Sequence, residues 1–331
     1  ETACTLLRAA ILFVLAFGMS LFARVIGDGP PSLFWPTNGI IIMFLTSSPS
    51  MMDFLLATVA GMFGLAMAQF DDVRRSVAFQ LAGANAVEFV LASIILRLIR
   101  HGDVPISEAV KTFRFLAELI FIAGVLASSI GATAGAYIIT SEFPGSVYND
   151  QWTDWFVGDL TGNFIVLYIG YLCIANSSKE KLEVIRETLK TRMGILYLGV
   201  IAMACGMVIT IYSLEDVPLI KAVPLMLLAS PILGNMALCL PQEVSAAVDL
   251  VLVLSVVLGT KLGRGPLTTV LEGACPSSPS QRTIFICIEV TLLISTTLTA
   301  TLAVTREQRV AQALKMKTAN DDRVAFFSHV S

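Results

Sequence analysis

Apolar residues fall in long runs separated by short polar breaks. Ten runs read as candidate membrane spans, at roughly 4–26, 33–48, 51–69, 76–99, 113–140, 154–175, 193–213, 218–239, 243–262 and 282–304. A helix needs about 20 apolar residues to cross the hydrocarbon of a bilayer. The second and ninth runs are short, and each reads equally as a re-entrant or tilted segment, which leaves eight to ten crossings. The expected fold is all-α: a polytopic transmembrane helix bundle of 8–10 spans with a C-terminal cytoplasmic helix.

Composition agrees with this pattern. Of 331 residues, 56% are hydrophobic and only 14% charged, and the mean hydropathy is +0.79. Soluble domains carry about 25% charged residues, so this chain has too little polar surface to cover a water-facing globule, and lipid is its expected partner. The net charge of −3 argues neither for nor against a nucleic-acid partner, and none is expected. Cys4, Cys173, Cys205, Cys239, Cys275 and Cys287 are scattered, with no C-x-x-C pair, and the chain has two histidines. That pattern predicts neither a zinc site nor a disulfide framework. No cleavable signal peptide is apparent, and the start at Glu1, with no Met before the first apolar run, reads as a fragment boundary.

Charge in the loops orients the spans. The loop 97–114 carries Arg97, Arg100, Lys111 and Arg114, and the loop 176–192 carries Lys179, Lys181, Arg186, Lys190 and Arg192. Both are expected to face the cytoplasm. The loops 141–153 and 214–217 contain acidic residues and no basic ones, and are expected outside. The loop 261–282, with Lys261, Arg264 and Arg282, breaks the alternation. Two domains follow: a membrane domain at 4–304 and a cytoplasmic signalling helix at 305–331. In the latter, Val310, Leu314, Val324 and Phe327 mark a stripe of coiled-coil character, which Lys317 and Asp321 interrupt. The expected location is the cell membrane, multi-pass, with the tail cytoplasmic.

An ionisable residue inside a span is costly, so it is usually paired or functional. Glu88, Glu118, Asp159 and Glu289 stand inside apolar runs. Asn85 lies three residues before Glu88, on the same helix face. These groups serve equally well as hydrogen-bonding glue between helices or as a sensing site. Asp159 is placed near a helix start at the outer interface. Gly124, Ser128, Gly131 and Gly135 form a small-residue face suited to close helix packing. Trp35, Trp152 and Trp155 read as interfacial aromatics, and PPSLFWPTNG as a structured outer turn.

These pieces resemble a known family. Trp35-Pro36-Thr37-Asn38-Gly39 is similar to the W-P-x-x-G signature of the membrane-associated sensor domain of the first type. Gly83-Ala84-Asn85-Ala86-Val87-Glu88 resembles its G-N-x-x-E element with one extra residue between Gly83 and Asn85. Trp155-Phe156-Val157-Gly158-Asp159-Leu160-Thr161-Gly162 resembles its W-W-x-G-D-x-x-G element, with Phe156 and Thr161 as variants. Gly259-Thr260 and Gly263-Arg264-Gly265-Pro266 look like its late glycine turn. The resemblance covers roughly residues 4–305. It implies a multi-helix sensory input in which Trp35, Asn38, Asn85, Glu88, Trp155 and Asp159 are the signal-sensing candidates, with no metal.

The tail Phe326-Phe327-Ser328-His329-Val330-Ser331 resembles the segment before the phosphoacceptor of histidine kinases. In one register Ser331 precedes an acceptor His that is the next residue. In the other His329 is the acceptor, although Val330 stands where the family has an acidic residue. The resemblance therefore implies the input and transmembrane region of a membrane-bound histidine kinase. It further implies a homodimer, a response regulator or receiver domain as partner, and a small-molecule or membrane-borne signal. ATP and Mg belong to a kinase domain following Ser331. Residues 1–331 contain no ATP-binding parts, so no cofactor and no catalysis are expected of them alone. The alternatives are the sensor region of a cyclic di-GMP enzyme, whose G-G-D-E-F-like segment is absent here, and a secondary transporter, for which the halves show no convincing repeat.

Overall fold

The computed structural model describes residues 2–27, 35–99 and 112–175, with short stretches at 190–191, 194–195, 199, 202, 206, 248, 251, 301–302, 304–306, 308–310 and 312–320. Every regular element among the described residues is helical, as the apolar pattern predicts. In chain order these are α1 (Thr2–Gly27), α2 (Thr37–Thr46), α3 (Met51–Ala68), α4 (Arg75–Ile99), α5 and α6 (Tyr148–Ala175). Helix α5 runs without a break through Phe113–Glu118, a π-helical stretch Leu119–Ala127 and Ser128–Glu142. The predicted spans beyond residue 192, Glu289, the late glycine turn and the segment 326–331 lie outside the described residues.

Among the described residues, four helices are long and apolar enough to cross a membrane: Ala3–Ala23, Met51–Ala68, Arg75–Ile99 and Arg114–Glu142. Their outer faces carry Leu6, Leu7, Val14, Val59, Phe63, Val87, Leu98 and Phe121, all exposed. Apolar surface on this scale has no place in water. Meanwhile Asn38, Glu88, Ser93 and Asn163 are fully buried. Polar residues inside and apolar residues outside identify a membrane protein.

Helix boundaries follow local chemistry. Ser50 caps α3: its hydroxyl accepts from the Asp53 amide at 3.1 Å and donates to the Asp53 carboxylate at 2.9 Å, a reciprocal arrangement close to a capping box. Thr112 does the same service for α5, accepting from the Phe115 amide at 3.2 Å. Gly145, at φ +94°, turns the chain between α5 and α6, a conformation that side chains resist.

Helix α2 is the anomaly. It has ten residues, so it is about 15 Å long at ~1.5 Å per residue, half the thickness of a bilayer core. Its start does not reach an outer surface. The Trp35 amide donates to the Gly158 carbonyl at 3.3 Å, and Gly162 lies directly against the Trp35 carbonyl, so α2 begins against the middle of α6. The Ser20 and Thr37 hydroxyls pair at 3.2 Å and tie the same point to α1. Trp35–Gly39 is therefore not an outer turn, and the short second run is a half-length helix seated inside the bundle. The far end of α2 is held where Arg97 donates to the Leu45 carbonyl at 3.5 Å and Arg8 to the Ser47 carbonyl at 3.3 Å. The opposite end of the bundle is tied by an ion pair between Arg74 and Glu142.

A Cβ at position 162 would collide with the backbone of Trp35, whereas one at Gly83 would meet nothing within 4 Å. Gly162→Ala is expected to cost about 1–3 kcal/mol as an overpacking substitution. Gly83→Ala, in a helix interior with open space, is expected to be neutral or to add about 0.5–1 kcal/mol. Thermal unfolding of the two purified variants in one detergent checks this, and equal melting temperatures would count against the close approach of α2 to α6.

Candidate functional site

Four helices deliver polar side chains to one buried place. Helix α2 brings Asn38, α4 brings Asn85 and Glu88, α5 brings Ser128, and α6 brings Asp159 and Asn163. Each of these is at most 2% exposed. Helical spacing puts them on the inner faces: Asn85 and Glu88 are three apart, and Asp159 and Asn163 four apart, so each pair shares one face.

Two backbone carbonyls fix the polarity of the network. Asn85 donates through Nδ2 to the Leu81 carbonyl at 2.9 Å, so its Oδ1 must face the other way as an acceptor. Asn38 Nδ2 fills that acceptor at 2.7 Å and also reaches Asp159 Oδ1 at 3.5 Å. On the other side, Ala123 supplies a carbonyl within the π-helical stretch. Asn163 Nδ2 lies 3.3 Å from it, 2.6 Å from Glu88 Oε1 and 3.2 Å from Ser128 Oγ. Ser128 Oγ lies 3.3 Å from both Glu88 Oε1 and the Ala123 carbonyl. The Glu88 and Asp159 carboxyls are close enough to interact, and Trp155 stands one turn before Asp159 on the same face of α6.

The two halves thus meet at a carboxyl pair, and each carboxyl has one oxygen held by an asparagine amide. The second oxygens, Glu88 Oε2 and Asp159 Oδ2, have no hydrogen-bond partner, nor do Asn38 Oδ1, Asn163 Oδ1, Thr161 Oγ1 and the indole N–H of Trp35. A buried polar atom left unpaired costs about 1–3 kcal/mol, so this cluster is held together against a substantial penalty. The N-terminus of α2 meets α6 at Gly158 and Gly162, on either side of Asp159. A helix N-terminus carries about half a positive charge, which offsets part of the carboxylate charge.

Glycines make room for the cluster. A Cβ on Gly131 would run into the Glu88 carboxyl, and one on Gly135 into the Trp155 ring. On Gly39 it would come within 3.0 Å of Val166 and 3.2 Å of the Asn163 Cα. The small-residue face of α5 is a packing face, as expected, and what it packs against is this site.

All six sensing candidates, Trp35, Asn38, Asn85, Glu88, Trp155 and Asp159, fall in or beside the cluster, though several readings need correction. Asp159 is not near a helix start: α6 begins at Tyr148, and its third turn lies inside the bundle. Trp35 and Trp155 are 7% and 8% exposed, so they are core residues rather than interfacial ones. Trp152 fits the interfacial role better, stacking on Phe156 and donating to Thr133 Oγ1 at 3.1 Å. Glu118 is apart from the cluster, paired with Arg114 at 2.7 Å in the first turns of α5. Asn163 went unrecognised, although its place one turn after Asp159 was the signal. His329 lies outside the described residues. No group of three or more His, Cys, Asp or Glu side chains that could hold a metal occurs among the described residues.

The contact between Gly131 and Glu88 gives a direct test. Gly131→Ala is expected to destabilise by about 1–3 kcal/mol through the clash. In a Glu88→Ala background the extra cost of Gly131→Ala should mostly vanish, because the carboxyl is gone and only the Cβ, 3.1 Å away, remains. A thermal-unfolding double-mutant cycle reads the coupling, and purely additive losses would separate the two residues.

Comparison with protein families, with curated proteins and with solved structures finds no match for this chain.

Proposed function

We propose that this chain is the sensory input and transmembrane signalling region of a membrane-bound histidine kinase. The observation that supports the reading is convergence: three segments far apart in sequence, Trp35–Gly39, Gly83–Glu88 and Trp155–Gly162, close on one buried polar cluster. These are the segments on which the resemblance to the sensor domain rests. A cluster with unpaired acceptors joining four helices is suited to a two-state element. A signal that supplies the missing partners favours one packing of α2, α5 and α6, and its absence favours another.

Output would pass through the tail. The described residues from 301 to 320 are helical, and Val310 and Leu314, one helical turn apart, are both exposed. Such a stripe suits pairing with a second copy in a parallel coiled coil, consistent with a homodimer that phosphorylates a response regulator or receiver domain. The Arg8, Arg97 and Arg114 side chains lie outside the polar cluster, and the positive-inside rule assigns their end of the bundle to the cytoplasm. The sensor region of a cyclic di-GMP enzyme would share the same membrane bundle, and the Phe326–Ser331 resemblance favours the kinase over it.

A secondary transporter is the second reading, favoured by one observation: a half-length helix whose N-terminus ends beside paired carboxyls, an arrangement that ion and substrate sites of transporters use.

Glu88→Leu and Asp159→Leu are expected to lock kinase output on or off, with normal amounts of protein in the membrane. Allosteric couplings are typically about 1–3 kcal/mol, so the shift in output should be about 5–150-fold. Autophosphorylation of the full-length protein in membranes measures it. Unchanged signalling in both variants would remove the cluster from the mechanism. Sequencing past Ser331 supplies a second check: His-Glu or His-Asp, then an ATP lid, supports the kinase, and an unrelated domain turns attention to transport assays.

A further inference from the structure

The free oxygens of the cluster follow from its anchoring. The Leu81 carbonyl turns the Asn85 amide, which turns Asn38 so that its Nδ2 donates and its Oδ1 is left over. Asn163 Nδ2 is likewise engaged by Glu88, Ser128 and the Ala123 carbonyl, which leaves its Oδ1 over. Neither amide can flip without setting acceptor against acceptor. With Glu88 Oε2 and Asp159 Oδ2, four oxygens from α2, α4 and α6 are buried and unpartnered. Their side chains are neighbours: Asn38 bonds to Asp159 and Asn163 to Glu88, and the two carboxyls are close enough to interact.

All four are acceptors, and two belong to carboxyl groups. No Lys, Arg or His side chain bonds to the cluster among the described residues. One proton shared by the carboxyls would satisfy at most two oxygens and leave both amides as they are. A cation coordinated by oxygens satisfies them together. Ca²⁺ takes six to eight oxygen ligands and Mg²⁺ retains several waters, and no third carboxylate joins the pair among the described residues. We propose that Asn38, Glu88, Asp159 and Asn163 form a binding site for a dehydrated monovalent metal cation, Na⁺ foremost. The proposal rests on the sensor reading for the site's biological role, not for its chemistry.

Trp155 stands one turn before Asp159 and Trp35 adjoins the cluster, so occupancy should register in tryptophan fluorescence. The experiment titrates NaCl into the purified full chain in detergent, replacing choline chloride at constant ionic strength, and follows melting temperature and fluorescence together. The expected result is a saturable rise in melting temperature and a fluorescence change with one shared midpoint. Asp159→Asn should raise that midpoint at least about tenfold, the factor that ~1.4 kcal/mol represents. Asn38→Ala keeps both carboxyls, and it should raise the midpoint too, which covers the case in which Asp159→Asn does not fold. Indifference to Na⁺ against choline would overturn the proposal, as would a response to acid alone, which would mean a proton or water fills the site. An unchanged midpoint in the folded variants would overturn it as well. The readout involves no phosphoryl transfer, so failure here leaves the kinase reading standing, and a silent kinase leaves a cation response standing.

Discussion

A helix that begins inside an apolar bundle must find every hydrogen bond within the protein, because hydrocarbon offers none. Helix α2 imposes that constraint here. Its start is pressed on α6 between Gly158 and Gly162, and its first residues, Thr37 and Asn38, are fully buried. The polar residues of α1, α4, α5 and α6 answer to it: Ser20 meets Thr37, Asn85 meets Asn38, and Asp159 stands beside the positive end of the helix. Lengthening α2 toward a surface would remove the reason for these residues to be inside.

The same constraint explains why glycine recurs on α2, α5 and α6. Side chains as large as Trp155, and groups as demanding as the Glu88 carboxyl, fit between helices only where the facing residue has no Cβ. Gly131 and Gly135 are thus the complement of Glu88 and Trp155, and Gly162 is the complement of the Trp35 backbone. In a membrane, where burial of apolar surface between helices gains little, such close contact is a main source of attraction.

Much of this was legible in the sequence. Apolar runs located α1, α3, α4, α5 and α6, because lipid demands nearly unbroken apolar length. Intramembrane polarity pointed to Asn85, Glu88 and Asp159. What the pattern could not convey was depth. Trp35, Trp155 and Pro36 are residues typical of an interface, yet all three are buried. The run at 154–175 is another case: α6 faces protein rather than lipid, with Val157–Ile165 buried throughout. Asn163 escaped notice for a related reason: an uncharged amide in an apolar run costs little on any scale, and its importance lies in the carboxyl across from it. Glu118 misled in the opposite direction, since Arg114 one turn away neutralises it locally.

The π-helical stretch Leu119–Ala127 leaves its mark on α5 as a whole. Such a stretch bonds each amide one residue farther back than an α-helix does, so it acts as a dislocation in an otherwise regular lattice. The Phe113–Glu118 half and the Ser128–Glu142 half are consequently not phase-locked. Each keeps its own angular setting, the first facing Tyr171 through Phe115, the second presenting Ser128 and Gly131 to Glu88. Moving the dislocation along by one residue would rotate a segment by about 100° without breaking the helix. In α5, then, rotation and translation are separable, and a screw-like motion about its own axis is open to a rod that otherwise looks rigid.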